Sequence, residues 1–96
     1  MGAVLTIPIC GRYFDQILAG TKPKEYRVRN AYWRKRLEGR SYDRVVLTRG
    51  YPKGGGVEFV TRLTLPWRGY DEETITHEFF GGEPVEVFAI HVRKAA

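Results

Sequence analysis

Between Arg12 and Arg29 the chain changes its hydrophobic period, and the change narrows the folds open to it. Tyr13, Phe14, Ile17 and Leu18 recur at helical spacing and predict a short helix over residues 12–19 with one apolar face. Gly20 follows, suited to end that helix in a left-handed backbone conformation. From Lys24 the period becomes two, so Glu25, Arg27 and Arg29 point to one side of a strand over 24–29 and Lys24, Tyr26 and Val28 to the other. A helix of two turns that feeds straight into a strand is too short for a parallel crossover, which disfavours a doubly wound fold.

The rest of the chain has the same grain. Val4–Ile9 is apolar and β-branched and predicts a first strand, with Pro8 near its end. Asn30 is placed to cap a second short helix, Ala31–Leu37, which Gly39 stops. Arg44–Arg49 predicts a strand buried on both faces, since its centre is continuously apolar. Residues 51–56 read as a loop ending in three glycines. Residues 57–65 predict a long strand, broken at 66–69 by a Pro-Trp-Arg-Gly run. Asp71 is the expected cap of a helical turn over 71–77, with Glu72 and Glu73 near its positive end. Residues 84–94 predict a last strand. The expectation is a single α+β domain over 1–96, mainly β, with five to six strands and two or three short helices. Ninety-six residues are enough for one core and no second module.

Charge is unevenly distributed. From Lys22 to Lys53 there are eleven Lys and Arg against three acids, a net of +8, within a chain whose net charge is +5. From Asp71 to Glu86 there are six acids and no Lys or Arg. Either the first segment forms a positive region that concentrates phosphates, or the two segments lie together and neutralise one another. Cys10 is the one cysteine, so no internal disulfide can form and a reducing cytoplasm is expected. His77 and His91 stand apart from it and from each other, and neither a metal site nor a cofactor is expected. The apolar stretch at residues 3–9 is too short for a membrane span, so no membrane association is expected.

Several residues carry candidate chemistry. Lys22 is placed to orient a phosphate or polarise a carbonyl; its alternative is a solvated lysine past a helix end. Glu25 and Arg27, two apart on one strand face, can pair directly. That pair either fixes a cleft wall or keeps Arg27 oriented for a ligand while Glu25 accepts a proton. Arg34, Lys35, Arg36 and Arg40, interleaved with Tyr32, Trp33 and Tyr42, suit a single nucleic-acid strand or merely the wet face of a helix. Arg49, Tyr51 and Lys53 border the glycine loop. Trp67 and Tyr70 flank a turn and are candidate stacking residues. His77 is a candidate acid or base, and His91 a structural residue.

Gly20-Thr21-Lys22-Pro23-Lys24-Glu25-Tyr26-Arg27 fits the pattern Gly-x-Lys-x-x-Glu-x-Arg, and Phe14-Asp15-Gln16-Ile17-Leu18 before it fits Phe/Tyr-x-x-Ile-Leu. On these residues the chain resembles the ASCH domain, a member of the PUA-like superfamily. The order of the remaining elements agrees with that resemblance over the whole chain, while its specific motifs lie in the first thirty residues. The resemblance implies a small PUA-like β-barrel with a cleft between barrel and helices, and an RNA or nucleotide-like ligand held there. Apart from it, the basic face alone leaves an acidic protein partner as a further option. The resemblance carries Lys22, Glu25 and Arg27 as motif positions, and with the neighbouring candidates the ligand-binding set is Lys22, Lys24, Glu25, Tyr26, Arg27, Arg29, Arg49, Lys53 and Trp67. Some relatives are hydrolases, either ribonucleases or enzymes that remove the acetyl group of N4-acetylcytidine. In the deacetylating relatives a threonine nucleophile stands three places after the motif lysine. This chain has Glu25 there, so its catalytic candidates are Lys22 and Glu25, with water as the nucleophile.

Overall fold

The first helix, α1 (Gly11–Leu18), begins after an extended Cys10 and buries Phe14 and Ile17, the two side chains at the centre of its apolar face. Its end is built as the sequence predicts. Gly20 has φ +85°, its N–H donates to the Ile17 carbonyl at 3.0 Å, and the Thr21 N–H donates to the Gln16 carbonyl at 2.9 Å. These two bonds satisfy carbonyls that the last helical turn leaves open, in the pattern of a Schellman closure. The chain then enters a strand, β2 (Lys24–Val28). Asn30 accepts a hydrogen bond from the Trp33 N–H through Oδ1 at 2.9 Å and starts the second helix, α2 (Ala31–Leu37).

This computed structural model describes residues 2–78 and 81–93. Among them are four further strands besides β2 and the first, β1 (Val4–Ile9): β3 (Arg44–Arg49), β4 (Arg62–Pro66), β5 (Tyr70–Thr76) and β6 (Pro84–His91). They form two three-stranded sheets, ordered β1-β3-β4 and β2-β6-β5. β1 and β3 run parallel, joined by a crossover that contains α1, β2 and α2; the other pairings are antiparallel. β3 is central and buried along Val45–Thr48, as its continuous apolar run predicts. The core lies between the sheets: Leu5, Ile7 and Ile9 of β1, Val45 and Leu47 of β3, and Leu63 and Leu65 of β4 meet Phe88 and Ile90 of β6. Phe14, Ile17 and Leu37 join the same cluster from the helices. Each such fully buried side chain stabilises the fold by about 1.5–3 kcal/mol relative to exposure.

The fold is α+β and mainly β, as expected, and among the described residues no ladder joins the two sheets. Two expectations are corrected. The long strand expected over 57–65 is only β4 in its second part. Residues 57–61 turn instead, because side chains outbid the ladder for backbone partners: Thr61 Oγ1 accepts from the Val57 N–H at 2.9 Å, and the Glu58 carboxylate accepts from the Thr64 N–H at 2.6 Å and from Thr64 Oγ1 at 2.9 Å. The helical turn expected over 71–77 is the strand β5. Tyr70, Thr74, Ile75 and Thr76 suit a pleated surface, and β5 pairs with β6 from Tyr70↔Ile90 to Thr76↔Pro84. Smaller differences are that β2 ends at Val28 and β6 at His91; Lys94, the expected end of the last strand, lies outside the described residues. No helix among the described residues is long and apolar enough to cross a membrane.

Candidate functional site

β1 and β2 are edge strands of different sheets, and between their edges there is no ladder. One side chain spans the gap. Arg27 Nη2 donates to the Pro8 carbonyl at 3.0 Å and to Glu25 Oε2 at 2.8 Å. Around this bridge lies a cavity of about 360 Å³, walled by Pro8, Ile9 and Cys10 at the end of β1, by Tyr13 of α1, by Lys22 and β2, and by Asn30 and Trp33 at the start of α2. Ile75 and His77 close it from the end of β5. Its size matches that of a small-molecule site.

The electrostatics centre on Glu25, whose residue is 5% exposed. Besides Arg27, the carboxylate has Lys22 Nζ at 3.7 Å from Oε1. Burial pushes the Glu25 carboxyl above the usual carboxylate range, opposed by the charges of Arg27 and Lys22. The two cations are themselves held by rings. Lys22 Nζ lies 5.0 Å from the centroid of Tyr13 and 4.8 Å from that of Tyr26, and the Arg27 guanidinium lies 5.3 Å from that of Trp33. Arg27 Nε is buried without a hydrogen-bond partner. The site therefore combines aromatic faces, two oriented cations and one carboxyl that holds a proton more readily than usual.

Of the sequence-predicted set, the structure brings Lys22, Glu25, Tyr26 and Arg27 together on this cavity. Lys24, Arg29, Arg49, Lys53 and Trp67 do not line it. Lys24 Nζ pairs with Glu73 at 2.7 Å and Asp71 at 3.5 Å, and Arg29 pairs with Glu72 at 2.9 Å and Glu86 at 3.6 Å. Asp71, Glu72 and Glu73 are the acids expected in the first turn of a helix; on β5 they reach Lys24 and Arg29 instead. Arg49 pairs with Asp15 at 3.1 Å, Lys53 sits in a 3-10 turn (Lys53–Gly55), and Trp67 packs edge-on against Tyr42 and the core. His91 contacts Asp71 at 3.2 Å, away from the cavity. Trp33, one of the aromatics interleaved with the basic helix residues, and Tyr13 contribute aromatic walls. Tyr13 reads in sequence only as part of the apolar face of a helix, and its period gave no sign of the role, which depends on where β2 passes.

No group of three or more His, Cys, Asp or Glu among the described residues is placed to hold a metal ion. Comparison with protein-family models, curated proteins and solved structures gives no match to this chain.

Proposed function

We propose that the chain is an RNA- or nucleotide-binding domain of the ASCH, PUA-like type, with the ligand in the cavity between β1 and β2. The two unjoined sheets would then be an opened form of the PUA-like barrel, with Arg27 bridging the opening. The observation that carries the reading is the convergence of Lys22, Glu25 and Arg27 on one aromatic-walled cavity. Tyr13, Tyr26 and Trp33 offer ring faces on which a base can stack, at about 1–3 kcal/mol per stacked base. Lys22 and Arg27 supply charge for a phosphate, and Glu25 accepts from a base N–H.

The test is titration of a labelled single-stranded RNA over a range of salt. Affinity should fall on a log–log plot with a slope of about −0.7 per phosphate neutralised, and Lys22→Ala should weaken it. A flat salt response, or equal affinity in the variant, overturns the reading.

A second reading, a small hydrolase acting on RNA or a modified nucleoside, is favoured by the upward shift of Glu25. A carboxyl moved toward neutrality is better suited to general-base work on a water molecule, with Lys22 beside it to stabilise developing negative charge. Incubation of the protein with labelled RNA and with N4-acetylcytidine separates the readings: turnover abolished by Glu25→Gln supports the hydrolase, and binding without turnover leaves the binding domain.

A further inference from the structure

The turn between β3 and β4 presents apolar side chains to solvent in a way the core does not require. Val57, Phe59 and Val60 are each about 60% exposed, and Tyr51 is 91% exposed. Phe59 has φ +66°, the one non-glycine residue with positive φ among the described residues. A left-handed conformation costs an aromatic residue stability, so the surroundings must impose it. They do. The Val57 carbonyl accepts from the N–H groups of Val60, Thr61 and Arg62, the Phe59 N–H donates to the Arg62 carbonyl at 2.7 Å, and Glu58 and Thr61 close the turn through their side chains. The ring is thus held outward by a rigid frame, not left exposed by looseness.

The turn holds one acid and one lysine, and among the described residues only the acid has a charged partner. Glu58 is engaged by Thr64 and by Arg62 at 3.5 Å, while Lys53 is exposed and has no ion pair among the described residues. Its location ties it to the cavity. Arg49 lies opposite Ile9 in register, and the Gly50 N–H donates to the Ile9 carbonyl at 2.7 Å; Ile9 and Cys10 are cavity walls. The turn therefore springs from the same end of the first sheet as the cavity. Exposed rings beside one lysine without an ion pair, next to the cavity, fit a partner that offers flat apolar faces and negative charge together, as single-stranded nucleic acid does at every residue.

We infer that this turn is a second contact surface for single-stranded RNA, on which Phe59 and Tyr51 stack nucleotides flanking the one in the cavity while Lys53 meets the backbone. The inference rests on the nucleic-acid reading of the cavity for its ligand class, and it adds a length requirement: the turn matters only for ligands longer than one nucleotide. The experiment compares a mononucleotide with an oligoribonucleotide of about eight residues, each titrated against the wild type, Phe59→Ala, Phe59→Gly, Phe59→Trp and Lys22→Ala. Phe59→Gly removes the ring and relieves the backbone, so a loss of affinity there is not a folding defect. The wild type should bind the oligonucleotide more tightly, and both Phe59→Ala and Phe59→Gly should lose about tenfold on it with the mononucleotide unchanged. Phe59→Trp should retain the affinity. Loss of oligonucleotide binding in the Phe59 variants but not in Lys22→Ala sinks the cavity reading and upholds the turn. Equal oligonucleotide affinity in Phe59→Ala and wild type overturns the inference and leaves the patch to a protein partner, and so does a wild type that binds no oligonucleotide.

Discussion

A carboxylate with 5% exposure is kept by its partners, and Glu25 shows what that costs and what it enables. Arg27 and Lys22 both favour its charged form, yet burial outweighs them and raises its pKa. The sign of the resulting pH dependence is fixed. In the unfolded chain the group ionises near its ordinary value of about 4.3; in the folded chain it ionises higher. Between those two values the folded state binds more protons, so its contribution to stability is full below the lower one and is lost as pH rises through the upper one. Glu25→Gln cannot ionise and should flatten that segment of the profile. Thermal unfolding midpoints of wild type and variant, measured across this acidic window, check it: parallel curves would mean that Glu25 titrates alike folded and unfolded. The pairing of Glu25 with Arg27 was readable from two-residue spacing on a strand. The rings around Lys22 and Arg27 were not, because residues 13, 26 and 33 meet only in the folded chain.

At the scale of elements, what local rules govern was legible and what side chains impose at a distance was not. The Gly20 closure and the Asn30 cap follow from single residues with strong backbone preferences, and both stand as expected. Gly20→Ala would meet no atom within 4 Å, so its effect is backbone strain alone. Chemical denaturation should show a loss of about 1 kcal/mol; an unchanged midpoint would mean that the turn relaxes. The turn at 57–61 is the opposite case. Alternation suggested a strand there, and the pattern carries no trace of the Glu58 and Thr61 bonds that fold it back. Phe59→Gly should therefore stabilise the protein, by about 1 kcal/mol, since relief from a left-handed phenylalanine exceeds the added freedom of glycine in the unfolded chain. The same denaturation experiment reads it, and a destabilised Phe59→Gly would show that the ring packs on something after all. β5 misled for a related reason: three acids suggested a helix start, while the chain answers to its pairing with β6.

Across the whole molecule the charge asymmetry of the sequence folds largely onto itself. The basic strand β2 and the acidic strand β5 flank β6 in one sheet, and ion pairs from Lys24 and Arg29 reach over that central strand to Asp71, Glu72 and Glu73. The neutralising alternative is therefore realised in part. The acids neutralise two cations, while Lys22 and Arg27 keep to the cavity with Glu25 as their shared partner. Sequence could give the count of charges but not this division, which depends on strand order. The pairs with β5 are partly exposed, so each contributes little to stability. Their influence on an anionic ligand is larger, because every acid on β5 lowers the potential that draws phosphates in. Replacing Glu72 and Glu73 together by glutamine raises the net charge by two and releases Arg29 and Lys24 from their shortest ion pairs. Single-stranded RNA should then bind more tightly at low salt, with a steeper dependence on salt, while the unfolding midpoint moves little. At high ionic strength, where the Debye length shrinks to about 3 Å at 1 M, the two proteins should bind alike. If the double variant binds no better at low salt, the field of β5 does not reach the ligand, and the affinity is set within the cavity walls alone.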